Sequence, residues 1–494
     1  MKKALILLLA AGSAFAQMRV MSMPSKSPVV TFRVVFTAGA ASDPTDKPGA
    51  AYLTAQMLSD GGTKDLTYKQ IVDAMFPMAA SVSSQVDKEM TTFSGATHAD
   101  NLDAYYRIFR AMLLEPGWRE DDFKRIRDNT LNYLKVTLRG NNDEELGKEA
   151  LYGEIYAGTP YAHHNAGAIS AIEKLTLDDL KEFYRNHYTQ GNLIVGVAGG
   201  YPQGFAEKMS ADLRAKLPKK GGFAGREREK LSALGNIDRN RMTIVEKDTR
   251  SVAYSFGFPI LVRRGHPDYP ALVVAMSYFG PHRNSSGRLF QRMRSARGLN
   301  YGDYAYIEYF PNGMYQFEPS PNLARQHQIF QVWIRPVEPD NAVFALRLAM
   351  FELDRLRRDG LSQEEFERTR EFVSKNLNLL TRTKSAELGY AIDSMYYGIP
   401  GYLDYMKQRL AKLTREDVNK AIRAHLRADR IQFVAVAKNA EQLKAKLTSG
   451  EPSPMTYNSP KPEEILQEDK VVEKWNLKLR PEDVKIVPLE EVFR

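Results

Sequence analysis

The sequence predicts an α+β protein made of two homologous domains in tandem, each an antiparallel-rich sheet with helices on one face. Three observations carry this. Asp121-Asp122-Phe123-Lys124-Arg125-Ile126-Arg127 is matched by Glu364-Glu365-Phe366-Glu367-Arg368-Thr369-Arg370, and Leu175-Thr176-Leu177-Asp178-Asp179-Leu180 by Leu413-Thr414-Arg415-Glu416-Asp417-Val418. The two matches lie 243 and 238 residues apart, in the same order, as one unit used twice would place them. Each half also opens on an alternating strand, with Val30, Phe32, Val34 and Phe36 on one face in the first and Val252, Tyr254, Phe256 and Phe258 in the second.

In chain order, the first segment reads as a processing signal. Lys2 and Lys3 precede the apolar run Ala4 to Ala11, and Ala14-Phe15-Ala16 fits a cleavage site. Residues 1–16 are therefore expected to be a signal peptide cut after Ala16, and the mature chain periplasmic or secreted. That run is too short to span a membrane, and no later stretch reaches the length of a span. The first domain covers 17–217. Within it Ala50, Leu53, Met57 and Leu58 recur at helical spacing, and Asp60-Gly61-Gly62 supplies a left-handed stop. Ser81 to Val86 reads as a strand. The repeat helices that open at 121 and 364 are expected to run on to Leu134 and Leu377. Thr176 and Thr414 are N-caps, each with an aspartate three residues on that reaches back as in a capping box. Each of those helices leads into a strand, Leu193 to Ala198 and Ile431 to Val436. A linker is expected at 218–234, opening on Pro218-Lys219-Lys220-Gly221-Gly222. The second domain, 235–447, holds a strand from Ile329 to Ile334. Residues 448–494 turn to proline, serine and charge, as in an extended tail whose end, Val484 to Phe493, docks back as a strand.

Composition narrows the function. At 494 residues, 43% hydrophobic and 10% aromatic, the chain can fill two cores. The net charge is +9, but its cations are interleaved with acids, as in Arg226-Glu227-Arg228-Glu229, the pattern of solvated helix faces. No aromatic motif accompanies them, so nucleic acid is not an expected partner. The absence of cysteine excludes disulfides, a lipid-anchored cysteine and a thiolate nucleophile. No Gly-x-Ser-x-Gly elbow and no Gly-Lys-Ser/Thr phosphate loop occurs. None of the eight histidines lies three or four residues from another, so no helical metal pair exists. His163-His164 is the one cluster, an adventitious metal site or, more plainly, a polar loop. Glu144, Glu145 and Glu149 offer carboxylates but no histidine to join them.

The stretch Gly49-Ala50-Ala51-Tyr52-Leu53-Thr54-Ala55-Gln56-Met57-Leu58, with Gly62-Thr63 after it, closely resembles the zinc helix of the pitrilysin/insulinase-like metallopeptidases, the inverted zincins. There a His-x-x-Glu-His helix holds zinc through two histidines, and the glutamate activates the zinc-bound water. By that match the first histidine is Tyr52, the glutamate Ala55 and the second histidine Gln56. Aligning Phe123-x-Arg125-x-Arg127 with the family's second helix puts Tyr133 at the third ligand. All four roles are lost. Pro160-Tyr161, the Leu-Thr-x-Asp-Asp-Leu helix and Tyr188-Thr189-x-x-Asn192-Leu193 follow in the family's order. The resemblance implies the LuxS/MPP-like domain fold, used twice, as half of a clamshell around a chamber.

In the second half, Leu289, Phe290 and Met293 would face inward from a helix ended by Gly298, with Tyr301 on the strand after it. This segment resembles the family's Arg…Gly-Leu-x-Tyr motif. The resemblance implies that Arg294 and Tyr301 bind the substrate carbonyl and stabilise its oxyanion. The plain alternative has Arg294 paired with an acid and Tyr301 packed in the sheet. Two functions stand. One is an exported non-catalytic subunit of a heterodimeric zinc endopeptidase. It would bind unfolded peptide and lend Arg294 and Tyr301 to a homologous partner with intact His-x-x-Glu-His, which carries the zinc that this chain lacks. The other is a pseudopeptidase scaffold or peptide-binding protein with no part in hydrolysis. An independent metallopeptidase has no histidine pair to support it.

Overall fold

A computed structural model describes residues 19–220, 237–316 and 318–494; the expected signal peptide and most of the expected linker lie outside the described residues. The first sheet is built from β1 (Arg19–Pro24), β2 (Val29–Phe36), β3 (Ser81–Val86), β4 (Thr91–His98) and β5 (Leu193–Gly199), in the order β1-β5-β2-β4-β3. The second uses β6 (Arg241–Glu246), β7 (Val252–Ile260), β8 (Asp303–Tyr306), β9 (Gln328–Val337), β10 (Gln432–Ala437) and β11 (Val484–Pro488), in the order β11-β6-β10-β7-β9-β8. With β11 set aside, the two orders are the same. In each, the first and last strands of the half pair parallel and the remaining pairs are antiparallel. The tandem α+β repeat is therefore correct.

The alternation decides which face meets which core. Val30, Phe32, Val34 and Phe36 enter the first core, and Val252, Tyr254, Phe256 and Phe258 the second. Helices on one face is, however, only half of the arrangement. β2 and β7 are largely buried on both faces, although Thr31, Arg33 and Ser255 share the second face with Val35 and Ala253. The second face of each sheet is covered by a helix from the opposite half. Leu388 and Ile392 of helix Lys384–Tyr397 pack against Val35 and Ile194, while Leu146, Leu151 and Tyr152 of helix Asp143–Ile155 pack against Ala253, Val434 and Val436. The approach is close: a Cβ on Gly196 would lie 2.8 Å from Ile392 Cδ1. The halves thus exchange a helix each, which ties them into one body.

Both capping boxes form, Thr176 with Asp179 and Thr414 with Asp417. Helix Glu120–Asn132 does not stop near Leu134; it continues through a π turn, Tyr133–Leu138, as far as Asn141. Its counterpart Gln363–Leu380 runs three residues past Leu377. Helix Ala50–Ser59 is as expected, but its left-handed glycine is at the start: Gly49 has φ 114°, and neither Gly61 nor Gly62 has positive φ. The tail is not extended throughout. It contains helix Glu463–Val472 before β11, which adds as a sixth strand beside β6 and ends at Pro488 rather than Phe493.

Candidate functional site

The helix Ala50–Ser59 begins on a built N-terminus. The backbone N–H groups of Gly49 and Ala51 each donate to the Asp43 carboxylate at 2.7 Å, satisfying donors that no helix can satisfy internally. Tyr52 and Gln56, one turn apart, are half-buried, whereas Ala55 is fully buried in the first core. Gln56 Nε2 donates to Ser84 Oγ at 3.0 Å, and Ser84 Oγ also meets Ser59 Oγ at 2.9 Å. The second-histidine position is thereby tied to the edge strand β3. Tyr133 opens the π turn, and burial pushes its hydroxyl well up, with Glu149 and Glu145 adding to the shift. Zinc needs three or four converging nitrogen or carboxylate donors. Two phenols, an amide and a methyl group do not fit it, and no zinc-dependent step can run from this helix.

What lies beside it is a knot of buried charge that the sequence did not advertise. Asp87-Lys88-Glu89 is the turn between β3 and β4, closed by Asp87 N–H donating to Met90 O at 2.8 Å. Three charged residues in a hairpin turn ordinarily face water; here all three are buried. Arg325, 238 residues downstream, donates Nε to Asp87 Oδ2 at 2.7 Å and Nη2 to the other oxygen. Its guanidinium lies 3.6 Å from the centre of the Tyr309 ring. Glu89 accepts from the hydroxyls of Tyr161 and Tyr396 and, at 2.7 Å, from Gln326 N–H. Glu149 accepts from the Tyr309 hydroxyl at 2.9 Å. Burial, with Arg325 nearby, pulls the Lys88 ammonium down to about 7, and burial, with Lys88 nearby, pulls His164 down to about 3.

The His163-His164 loop is accordingly not a solvated one. His163 Nε2 stands 3.1 Å from Asp43 Oδ2, and the buried His164 has Nε2 3.8 Å from Glu149 Oε2, so one of the three nearby carboxylates does have a histidine beside it. The chain's end arrives here too. Ile169 N–H donates to Phe493 O at 2.8 Å, Arg139 donates to Glu490 O at 2.9 Å, and the Phe493 ring is 5.4 Å from His164. No local pattern could reveal these groups, because each is satisfied by a partner far along the chain.

Arg294 and Tyr301 are in a different setting. Phe290–Ser295 forms a π turn with Leu289 and Met293 buried and Phe290 only half-buried. Gly298, at φ 72°, ends it as expected, its N–H donating to Arg294 O at 2.8 Å. Tyr301 is not on a strand: it lies two residues before β8, 74% exposed. Arg294 pairs with no carboxylate among the described residues. Its guanidinium sits 4.4 Å from the Tyr301 ring centre and donates to Asn300 O at 3.3 Å. The other arginines of the segment are all anchored. Arg288 and Arg292 pair with the buried Glu352, and Arg297 with Glu468 and Asp469 of the tail helix at 2.7 and 2.8 Å. The segment is thus clamped through its neighbours while one guanidinium has no carboxylate and one phenol is exposed, a pair suited to a carbonyl oxygen or an anion. No hydrogen bond, ion pair or ring contact among the described residues joins them to Tyr52, Gln56 or Tyr133.

Comparison with known proteins agrees with this layout. Residues 19–168 match the family described as insulinase (peptidase family M16), and residues 174–373 match the peptidase M16 inactive domain. A non-peptidase homolog of Helicobacter pylori, YmxG, is 22% identical over 417 residues, 83% of this chain and 89% of that one. An uncharacterized zinc protease of Streptomyces coelicolor is 22% identical over 401 residues, 80% of this chain and 82% of its own. Among solved structures, a peptidase M16 inactive domain from Pseudomonas fluorescens superposes with a TM-score of 0.73 at 21% identity, covering 86% of this chain and 97% of that one. A protease from Helicobacter pylori gives 0.72 at 16% identity, covering 85% and 97%.

Proposed function

The chain belongs to the insulinase family, peptidase family M16, and from that premise we propose that it is the exported, non-catalytic subunit of a heterodimeric zinc endopeptidase. It binds unfolded peptide and supplies Arg294 and Tyr301 to the zinc site of a homologous partner that has intact His-x-x-Glu-His. The observation that carries this reading is the contrast within one segment. Arg292 and Arg297 are held by acids, whereas the half-buried Arg294 has none and stacks on the exposed Tyr301. A guanidinium left without a carboxylate, on a segment clamped this firmly, is a preorganised donor for a developing oxyanion. Among the described residues the outer edge of β3 has no strand partner and offers a place for a peptide to add as a strand.

The test is to purify the tagged mature chain from its native envelope and identify what comes with it, then assay the pair. A stoichiometric homologue carrying His-x-x-Glu-His is expected. Arg294→Ala should lower turnover of that complex by a factor of roughly 10²–10³ while assembly persists. Turnover unchanged in that variant overturns the role of Arg294. Recovery of the chain alone, or with unrelated proteins only, favours the second reading, a pseudopeptidase scaffold. The specific support for that reading is the buried knot, since Asp87 and Glu89 of one half are bound by Arg325, Gln326 and Tyr396 of the other, and a relative carries the description non-peptidase homolog.

A further inference from the structure

We propose that His266, Asp268 and His425 form a binding site for one divalent transition-metal ion of the zinc class, in the second half and apart from the former zinc helix. Each of the three offers one donor atom, and these atoms lie within 4.8 Å of one another, the one such group of three or more His, Asp or Glu side chains among the described residues. His425 Nε2 stands 2.7 Å from Asp268 Oδ2, and the two imidazole rings are 5.4 Å apart and perpendicular, so they converge without stacking. Two imidazoles and one carboxylate are the donor set of zinc and its neighbours, not of magnesium or calcium, which take oxygen ligands.

The backbone holds the trio in place. Asp268 immediately precedes helix Tyr269–Phe279, and His425 is the last residue of helix Arg415–His425, which packs against it. The turn between is fixed by Tyr269 N–H donating to His266 O at 3.0 Å and by Arg409 donating to Pro267 O at 2.8 Å. All three side chains are half-buried. An ion can enter from solvent and keep a water in its fourth position. His266 Nδ1 accepts from Asp268 N–H at 3.1 Å, so an ion taken at that nitrogen replaces one hydrogen bond. The Asp268–His425 contact must open modestly to admit an ion between its atoms. The bland account is a histidine–aspartate pair joining two helix ends, with no ion.

Zinc titration of chelator-stripped protein, followed by calorimetry and by thermal unfolding, separates the two. One equivalent of Zn²⁺ is expected to bind at micromolar or lower concentration and to raise the melting temperature, while Mg²⁺ does neither. His266→Ala and His425→Ala should each weaken zinc binding at least about tenfold, whereas His164→Ala should leave it intact. Binding that is only millimolar or non-stoichiometric, an adventitious ion only, overturns the site. So does zinc binding that survives His425→Ala. If the alanine variants fold poorly, His425→Gln serves, and anomalous scattering at the zinc edge from wild-type crystals must place the ion among these three side chains or the assignment fails.

Discussion

The hairpin β3–β4 and its counterpart β8–β9 occupy equivalent places in the two sheets and do opposite things. In the first half the connection is a tight turn, Asp87-Lys88-Glu89, whose charges are buried against the other half. In the second half the connection is far longer; it delivers Arg325 to Asp87 and sets Tyr309 against Arg325 and Glu149. One half has become the socket and the other the bolt. Beside the former zinc helix the first half thus packs buried charge, while in the second half Tyr301 stays exposed next to Arg294. A fold with two copies of one unit can thus use the same hairpin position as a socket in one copy and as a bolt in the other.

The largest effect should come from breaking the joint. Asp87→Ala leaves Arg325 buried without its carboxylate, and the loss of one member of a buried pair costs about 3–5 kcal/mol. Urea unfolding should show a midpoint shifted accordingly, and a shift no larger than that of an ordinary surface substitution would remove the socket from the account. A second attack asks whether the first half can be reopened. Restoring Tyr52→His, Ala55→Glu and Gln56→His together should destabilise the chain by roughly 3 kcal/mol, because position 55 is fully buried and a carboxylate there has no partner. It should also fail to hold stoichiometric zinc, since Tyr133 leaves the third ligand missing. Tight zinc in that variant would show that Tyr133 is not the third-ligand position.

These contrasts also mark what a single sequence can and cannot reveal. The repeat, the alternating faces of β2 and β7, the capping threonines and the vacant zinc frame are local patterns, and each was legible because its cause lies within a few residues. The exchanged helices were not, because helix Asp143–Ile155 packs on the sheet of the opposite half and its periodicity says only that it packs on something. The charged knot was least legible. Asp87 looks like any turn aspartate until Arg325 arrives from 238 residues away. The same holds for His266 and His425, separated by the length of most of a domain. At Arg294 the motif located the residue, but the clamp beside it, through Glu468 and Asp469, comes from a helix in a tail that reads as extended.

A smaller effect distinguishes the halves by pH. His164, held down to about 3 mainly by burial, stays neutral in the fold while the unfolded chain takes up a proton below its ordinary value near 6.5. Its contribution is complete above 6.5 and is lost as pH falls towards 3. Asp303, the first residue of β8, is pushed the other way, up to about 8 by burial. It keeps its proton in the fold while the unfolded chain releases one near 3.8, so its contribution is complete below 3.8 and is lost as pH rises towards 8. His164→Gln should flatten the acid limb of the stability curve and Asp303→Asn the limb above pH 4, as followed by chemical denaturation across that range. His282, held down to about 4 by burial, adds to the acid limb from the second half, so the single variants and not the total curve separate the two.

The smallest expected effect on stability is the most discriminating. Arg294→Ala removes a half-exposed guanidinium stacked on a tyrosine that is itself 74% exposed, and one hydrogen bond of 3.3 Å to Asn300 O. An exposed cation–π contact is worth about 0.5–1 kcal/mol, so the unfolding midpoint should barely move. Arg297→Ala, three residues on, strips the fully buried partner of Glu468 and Asp469 and should cost several times more. Measured side by side, the two variants ask whether the segment is clamped by one arginine in order to present the other. Equal losses would make Arg294 another part of the clamp. A near-silent Arg294→Ala beside a damaging Arg297→Ala would leave Arg294 with no structural task, and a residue held that firmly without one is where loss of turnover should then be sought.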